Sequence, residues 1–145
     1  MRIKQLDPVI ASRLVMVDAE ASPRAAALLL ARPRIGLVMV CRGDGAALGV
    51  LSKSDLIRHL ADPGRDTRTV SALMTRRFVS CTPEDEVHST WELMNRQGLQ
   101  NLPVLDGGSK PVGVLDIRDA AKALYEQEEL QEQLLANYIA GVGYQ

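Results

Sequence analysis

Apolar and polar positions along the chain fall into short blocks, and the blocks recur. LGVLSKSDLIRHL (48–60) and VGVLDIRDAAKAL (112–124) align without a gap, pairing Gly49 with Gly113, Val50 with Val114, Leu51 with Leu115, Asp55 with Asp119 and Leu60 with Leu124. At the same offset IGLVMV (35–40) meets LQNLPV (99–104), and ASPRAAALLLA (21–31) answers CTPEDEVHSTWELM (81–94). Self-similarity on this scale predicts two copies of one supersecondary unit. Each copy opens with a short apolar strand, LVMV (14–17) or FVSC (78–81). A Ser-Pro or Thr-Pro step follows, where Ser22 or Thr82 caps a helix and proline takes its first position. In the second copy Asp85 completes a variant of the capping box, Val87, Trp91 and Met94 share one face, and Gly98 ends the helix. Two strands come next, joined by RGDGAA in one copy and GGSKP in the other, both with the glycines of a hairpin loop. A final helix closes the unit. Pro23 to Gly49 spans 26 residues and Pro83 to Gly113 spans 30, so the second copy carries about one extra helical turn.

The expected architecture is therefore α+β, two tandem strand-helix-strand-strand-helix repeats related by a pseudo-two-fold axis. Repeat one covers 9–62, a linker 63–69 and repeat two 70–125, with a C-terminal helix and tail over 126–145. In that tail, EQEELQEQLLANYIAG places Leu130, Leu134 and Tyr138 four apart with Leu135 and Ile139 beside them, an amphipathic helix ending at Gly141. Such a helix either packs on its own domain or contacts a second copy or a partner.

Composition narrows the function. The chain has 145 residues, 46% apolar and 24% charged, with net charge −1, the balance of an ordinary globular protein. Near-neutral charge and 3% aromatic residues argue against nucleic acid as a partner. No stretch approaches the roughly 18 apolar residues of a membrane span, and the N-terminal stretch lacks a signal peptide's apolar core, so no membrane association and a cytoplasmic location are expected. Cys41 and Cys81 stand alone among strand-like residues and read as buried thiols rather than a disulfide or a zinc site. GDGAALG (43–49) superficially resembles a dinucleotide loop, but its glycines lead into a strand rather than a helix. No nucleophile, base or metal constellation is visible, so no enzymatic activity is expected and no catalytic or metal residues are assigned.

What remains is the duplicated carboxylate. SKSD (52–55) can be a helix cap, with Ser52 at the cap and Asp55 in the first turn, and DIRD (116–119) can be read likewise with Asp116 as the cap. The other reading is a ligand. A helix starting straight after a buried strand exposes free N–H groups, which favour phosphate, while a carboxylate there would suit a neutral donor pair such as a ribose cis-diol. Ile35 and Gly36, and Leu99 and Gln100, could then form a slot for a purine edge.

The blocks LGVLSKSDLIRHL, VSALMTRRFVSCTPEDEV, GLQNLPVLD and VGVLDIRDAAKAL together resemble a cystathionine-beta-synthase (CBS) domain pair, or Bateman module, of the stand-alone bacterial two-repeat type, over roughly residues 9 to 125. The resemblance implies a regulatory module that binds AMP, ADP, ATP, NAD or S-adenosylmethionine between the repeats, AMP foremost, and assembles as a homodimer that signals to an unidentified protein partner. It implies that Asp55 and Asp119 take ribose hydroxyls and that Ser52, followed by Lys53 and Ser54, meets ribose or phosphate. Asp55 would work with Thr75, Phe78, Val79 and the stretch Leu99, Gln100, Asn101, Leu102 and Pro103. Asp119 would work with Ile10, Ala11, Val15 and the stretch Ile35, Gly36, Leu37 and Val38. Two departures from the family pattern bear on this. Asp116 replaces the usual Ser or Thr, setting a second negative charge near any phosphate, which Arg118 offsets; Gln100 and Asn101 stand where relatives place basic groups. The Asp55 cleft is accordingly expected to bind AMP-like ligands better than the Asp119 cleft. The competing expectation is a purely structural or protein-interaction module with vacant clefts.

Overall fold

The computed structural model of the chain describes residues 1–62 and 68–142. Most of the expected linker, 63–67, and the last three residues, 143–145, lie outside the described residues. The helices are α1 (Val9–Ser12), α2 (Pro23–Leu30), α3 (Lys53–Ala61), α4 (Val87–Gln97) and α5 (Ile117–Val142); the strands are β1 (Met16–Asp18), β2 (Leu37–Cys41), β3 (Ala47–Ser52), β4 (Asn101–Asp106) and β5 (Lys110–Asp116). β1 pairs in parallel with β2, which pairs antiparallel with β3; β4 and β5 form the second hairpin. In place of a first strand, the second copy has only a parallel bridge between Cys81 and Val104. The copying extends to an irregularity: both hairpins slip register at the same repeat position, between Val40 and Cys41 and between Val104 and Leu105.

Alternation along the strands builds three apolar layers. Val38, Val40 and Leu51 point to a core shared with Ala26 and Leu30 of α2, and Leu102, Val104 and Leu115 to a second core shared with Val87 and Met94 of α4. The opposite faces, Leu37, Met39, Cys41 and Val50 from one copy and Leu105 and Val114 from the other, meet in a seam between the sheets. All five residues of β2 are buried because both its faces are covered.

Each core is completed by a segment that precedes the other copy's strands. Val70 and Met74 sit in the first core, while Ile3 and Ile10, both almost fully buried, sit in the second. This exchange explains one expectation that failed. Ser22 does cap α2, accepting the Ala25 N–H at 3.1 Å. Thr82 does not cap α4, which starts at Val87 rather than Pro83. Continuing the helix back to Pro83 would need the Val87 N–H on the Pro83 carbonyl. Instead Val87 donates to Met1 O and the Pro83 carbonyl accepts from Lys4, both at 2.9 Å. Half of the expected box survives, the Thr82 N–H on the Asp85 carboxylate at 2.9 Å. Gly98, at φ 68°, closes α4 in the left-handed region as its position suggests.

The C-terminal segment is continuous with the last helix of repeat two: α5 runs unbroken through residue 125, and its sequence there is almost wholly strong helix formers. From Glu128 to Gly141 every residue is exposed, so the reading in which the tail packs on its own domain does not hold. No helix among the described residues is long and apolar enough to cross a membrane.

Candidate functional site

Two clefts lie beside the helices that follow the hairpins. The larger, about 720 Å³, surrounds Asp55. Its floor is Val50, Ser52, Lys53, Ser54 and Asp55, where β3 runs into α3, with Arg58 one turn on. One wall is Thr75, Arg77, Phe78 and Val79. This segment is held by a reciprocal pair, Val50 N–H to Thr75 O at 3.0 Å and Thr75 N–H to Val50 O at 2.8 Å. Gly49 makes the approach feasible, because a Cβ there would lie 2.6 Å from Met74 Sδ and 2.9 Å from Thr75 O. The facing wall is Gly98, Leu99, Gln100, Asn101, Leu102 and Pro103, with Arg118 beyond. Gly36 and Leu37, expected on the Asp119 side, line this cleft instead. The starts of the two middle strands meet there, a Cβ on Gly36 falling 2.4 Å from Asn101 Nδ2.

Asp55 fulfils the capping reading in full. Oδ2 accepts the Ser52 N–H at 2.8 Å and the Ser52 hydroxyl at 3.0 Å, and Ser52 Oγ accepts the Asp55 N–H at 3.3 Å. Oδ1 is left outside this ring, held by the Arg58 guanidinium, whose side chain is 71% exposed. One oxygen finishes the helix; the other pairs with an arginine that lines the cleft.

Asp119 is used differently. Its carboxylate does not return to its own helix start but crosses to repeat one, accepting Arg13 Nε at 2.9 Å and Nη2 at 3.3 Å, and Arg34 Nη2 at 2.9 Å. Arg34 holds this position at φ 65°. The surrounding cleft, about 470 Å³, is lined by Gln5, Leu6, Asp7, Val9, Arg13, Arg34, Arg118, Asp119, Lys122, Ala123 and Glu126. None of the pocket-wall residues expected with Asp119 lines it. Ile10, Ile35 and Val38 are buried in the cores, and Ala11 and Val15 lie on neither cleft. The exchange accounts for the difference, because it turns the apolar residues inward and leaves charged neighbours on the rim.

Asp116 lines neither cleft and is 2% exposed. It caps α5 as the sequence suggests, accepting the Arg118 N–H at 2.8 Å, and also holds Arg118 Nε at 3.1 Å and Nη2 at 2.7 Å. Burial alone would raise its carboxyl, but the Arg118 side-chain and backbone hydrogen bonds and the charges of Arg118 and Arg34 outweigh it and hold the group below the ordinary carboxylate range. Arg118 is the one residue common to both clefts. The Asp55 cleft thus carries four cations, Lys53, Arg58, Arg77 and Arg118, against one carboxylate; the Asp119 cleft sets four, Arg13, Arg34, Arg118 and Lys122, against Asp7, Asp119 and Glu126.

Arg58 was within reach of a sequence reading, since it follows Asp55 by three residues on the same helix. Arg13, Arg34 and Arg77 were not, having no local signal. Cys41 and Cys81 are buried free thiols, and burial pushes Cys81 up to about 12, so neither is poised as a nucleophile. Among the described residues no cluster of three or more His, Cys, Asp or Glu could hold a metal ion.

Comparison with known proteins agrees with the fold. ATU1752 of Agrobacterium tumefaciens, a CBS-domain protein of known structure, is 29% identical and superposes with a TM-score of 0.68, covering 85% of this chain and 98% of its own. The CBS domain protein PAE2072 of Pyrobaculum aerophilum, solved with AMP, is 26% identical at a TM-score of 0.70, covering 82% of this chain and 89% of its own. The arabinose 5-phosphate isomerase GutQ of Salmonella typhi is 31% identical over 98 residues, 68% of this chain, but the chain spans only 30% of that enzyme's length. The CBS domain profile matches residues 3–62 and 70–126, and with both copies matched the chain belongs to the CBS domain family, as a tandem pair.

Proposed function

We propose that this CBS pair is a non-catalytic sensor of adenine nucleotides, with the Asp55 cleft as its principal site. The observation that carries the reading is the division of labour within one carboxylate that lines a 720 Å³ cleft: Asp55 Oδ2 is consumed by the helix cap, while Oδ1 pairs with Arg58, a solvent-exposed arginine that lines the same cleft. A ribose diol can take Oδ1 while Arg58 swings to the phosphate, with Leu99, Leu102 and Val79 flanking the base. A relative at 26% identity holds AMP. Asp119, clasped by two arginines of the other repeat, would first have to lose those partners, which makes its cleft the weaker site.

Because the cleft walls come from both repeats, a ligand that touches both favours one inter-repeat arrangement, and that preference is all the free energy available for signalling. For the readout we favour a second copy of the chain. The tail of α5 exposes Leu130, Leu134, Leu135, Tyr138 and Ile139 and carries Glu126, Glu128, Glu129 and Glu132 with no Lys or Arg beyond Lys122. The outer face of α2 and α3 exposes Leu28, Ile57 and Leu60 among Arg24 and Arg32. An acidic apolar helix and a basic apolar face complement each other, whereas two acidic tails alone would repel.

A thermal-shift panel of AMP, ADP, ATP, NAD and S-adenosylmethionine tests the site. A ligand at a hundredfold excess over its dissociation constant stabilises by about 2.7 kcal/mol. The shift should be lost in Asp55→Asn and largely kept in Asp119→Asn. A chain indifferent to all five would instead be a structural interaction module.

A further inference from the structure

Resting on that reading of the Asp55 cleft, the arrangement of charge names the class of nucleotide. The four cations come from separate places in the sequence and meet only in the fold. Lys53 and Arg58 stand on the first turns of α3, Arg77 on the segment pinned by Thr75, and Arg118 on α5 of the other repeat. The single carboxylate among them is already saturated on one oxygen by Ser52. No ion pair or side-chain hydrogen bond engages the Lys53 or Arg77 side chain among the described residues. Arg118 is aimed: Nε and Nη2 rest on Asp116, leaving Nη1 and one Nη2 hydrogen for a ligand, on a side chain 63% exposed. The Asp116 carboxylate, which the sequence suggests would repel phosphate, lies outside both clefts and serves as the backstop that orients this arm.

A nucleoside monophosphate brings at most about two negative charges, enough for Arg58 and one neighbour. Each further phosphate adds charge that the remaining forks can meet bidentately. A cleft of 720 Å³ has room for the longer chain. We propose that the Asp55 cleft selects adenosine 5′-polyphosphates, ADP and ATP, over AMP, with Arg77 and Arg118 meeting the distal phosphates in place of a divalent cation. The cleft offers no second carboxylate with which to hold Mg²⁺.

Calorimetry with AMP, ADP and ATP, each with and without excess Mg²⁺, tests this on the wild type, Arg77→Ala and Arg118→Gln. A hydrogen bond to a charged group corresponds to about tenfold in affinity. ATP should bind at least about tenfold more tightly than AMP and lose that margin in either variant, while AMP binding changes little. Excess Mg²⁺ should weaken ATP and leave AMP unaffected. The Arg77 side chain is exposed and makes no ion pair or side-chain hydrogen bond among the described residues, so Arg77→Ala carries the test even where Arg118→Gln destabilises the chain. AMP binding as tightly as ATP, or ATP binding unchanged in Arg77→Ala, overturns the inference but leaves the nucleotide site standing. Failure of all three nucleotides removes the site itself and the inference with it.

Discussion

Three aspartates at equivalent or neighbouring repeat positions do three different jobs, and the partner of each decides which. Asp55 closes a capping box, Asp116 caps and orients an arginine, and Asp119 bridges the repeats. The first two were legible because the partners lie within three residues, where helix geometry fixes who meets whom. The third was not, because Arg13 and Arg34 are 106 and 85 residues away and no local pattern announces them. Asp116 also makes a prediction about pH. Its carboxyl titrates below its ordinary value of 3.8 in the folded chain, so the unfolded chain binds the proton first on acidification. The stabilisation is complete above the ordinary value and is lost as pH falls through the lowered one. Urea unfolding followed from neutral pH to below pH 4 should show a steeper acid loss in the wild type than in Asp116→Asn; parallel curves would mean that the Arg118 contact contributes nothing.

At the level of elements, the hairpins, α2 and the end of α4 followed from local signals: glycines in the loops, Ser22 before Pro23, Gly98 after the last apolar position. The start of α4 did not, because residues 1–4 occupy the backbone groups that an earlier start would need. The repeated glycine of the LGVL and VGVL blocks also acquires a cause. Gly49 lies under Met74 and Thr75, and Gly113 under Ile10, whose backbone would be 3.0 Å from an added Cβ. Each glycine admits the segment that the other copy contributes. Gly49→Ala should therefore push the Thr75 wall outward. The expected destabilisation is about 1–3 kcal/mol, with Tm falling by several degrees and nucleotide affinity falling with it. An alanine variant with unchanged Tm and affinity would show that the contact has slack.

For the whole molecule, the exposed half of α5 is the feature most in need of a partner. If a second copy covers it with the α2 and α3 face, Leu134→Glu in the tail and Arg24→Glu on the face should each reduce the oligomer to monomer in light scattering, without altering far-UV circular dichroism. An assembly that survives both substitutions uses another surface. The family membership does not supply the charge argument, which comes from the four tail glutamates of this chain and the arginines of its first repeat.

The crossing of segments at the cores has a last consequence. Were the polypeptide severed between its copies, the front fragment would keep Ile3 and Ile10 with no cavity of its own for them, and the rear fragment would hold Val70 and Met74 in the same predicament. Each piece would lack part of its own core, and mixed together each would supply the plug the other lacks, as two subunits would that happen to share one backbone.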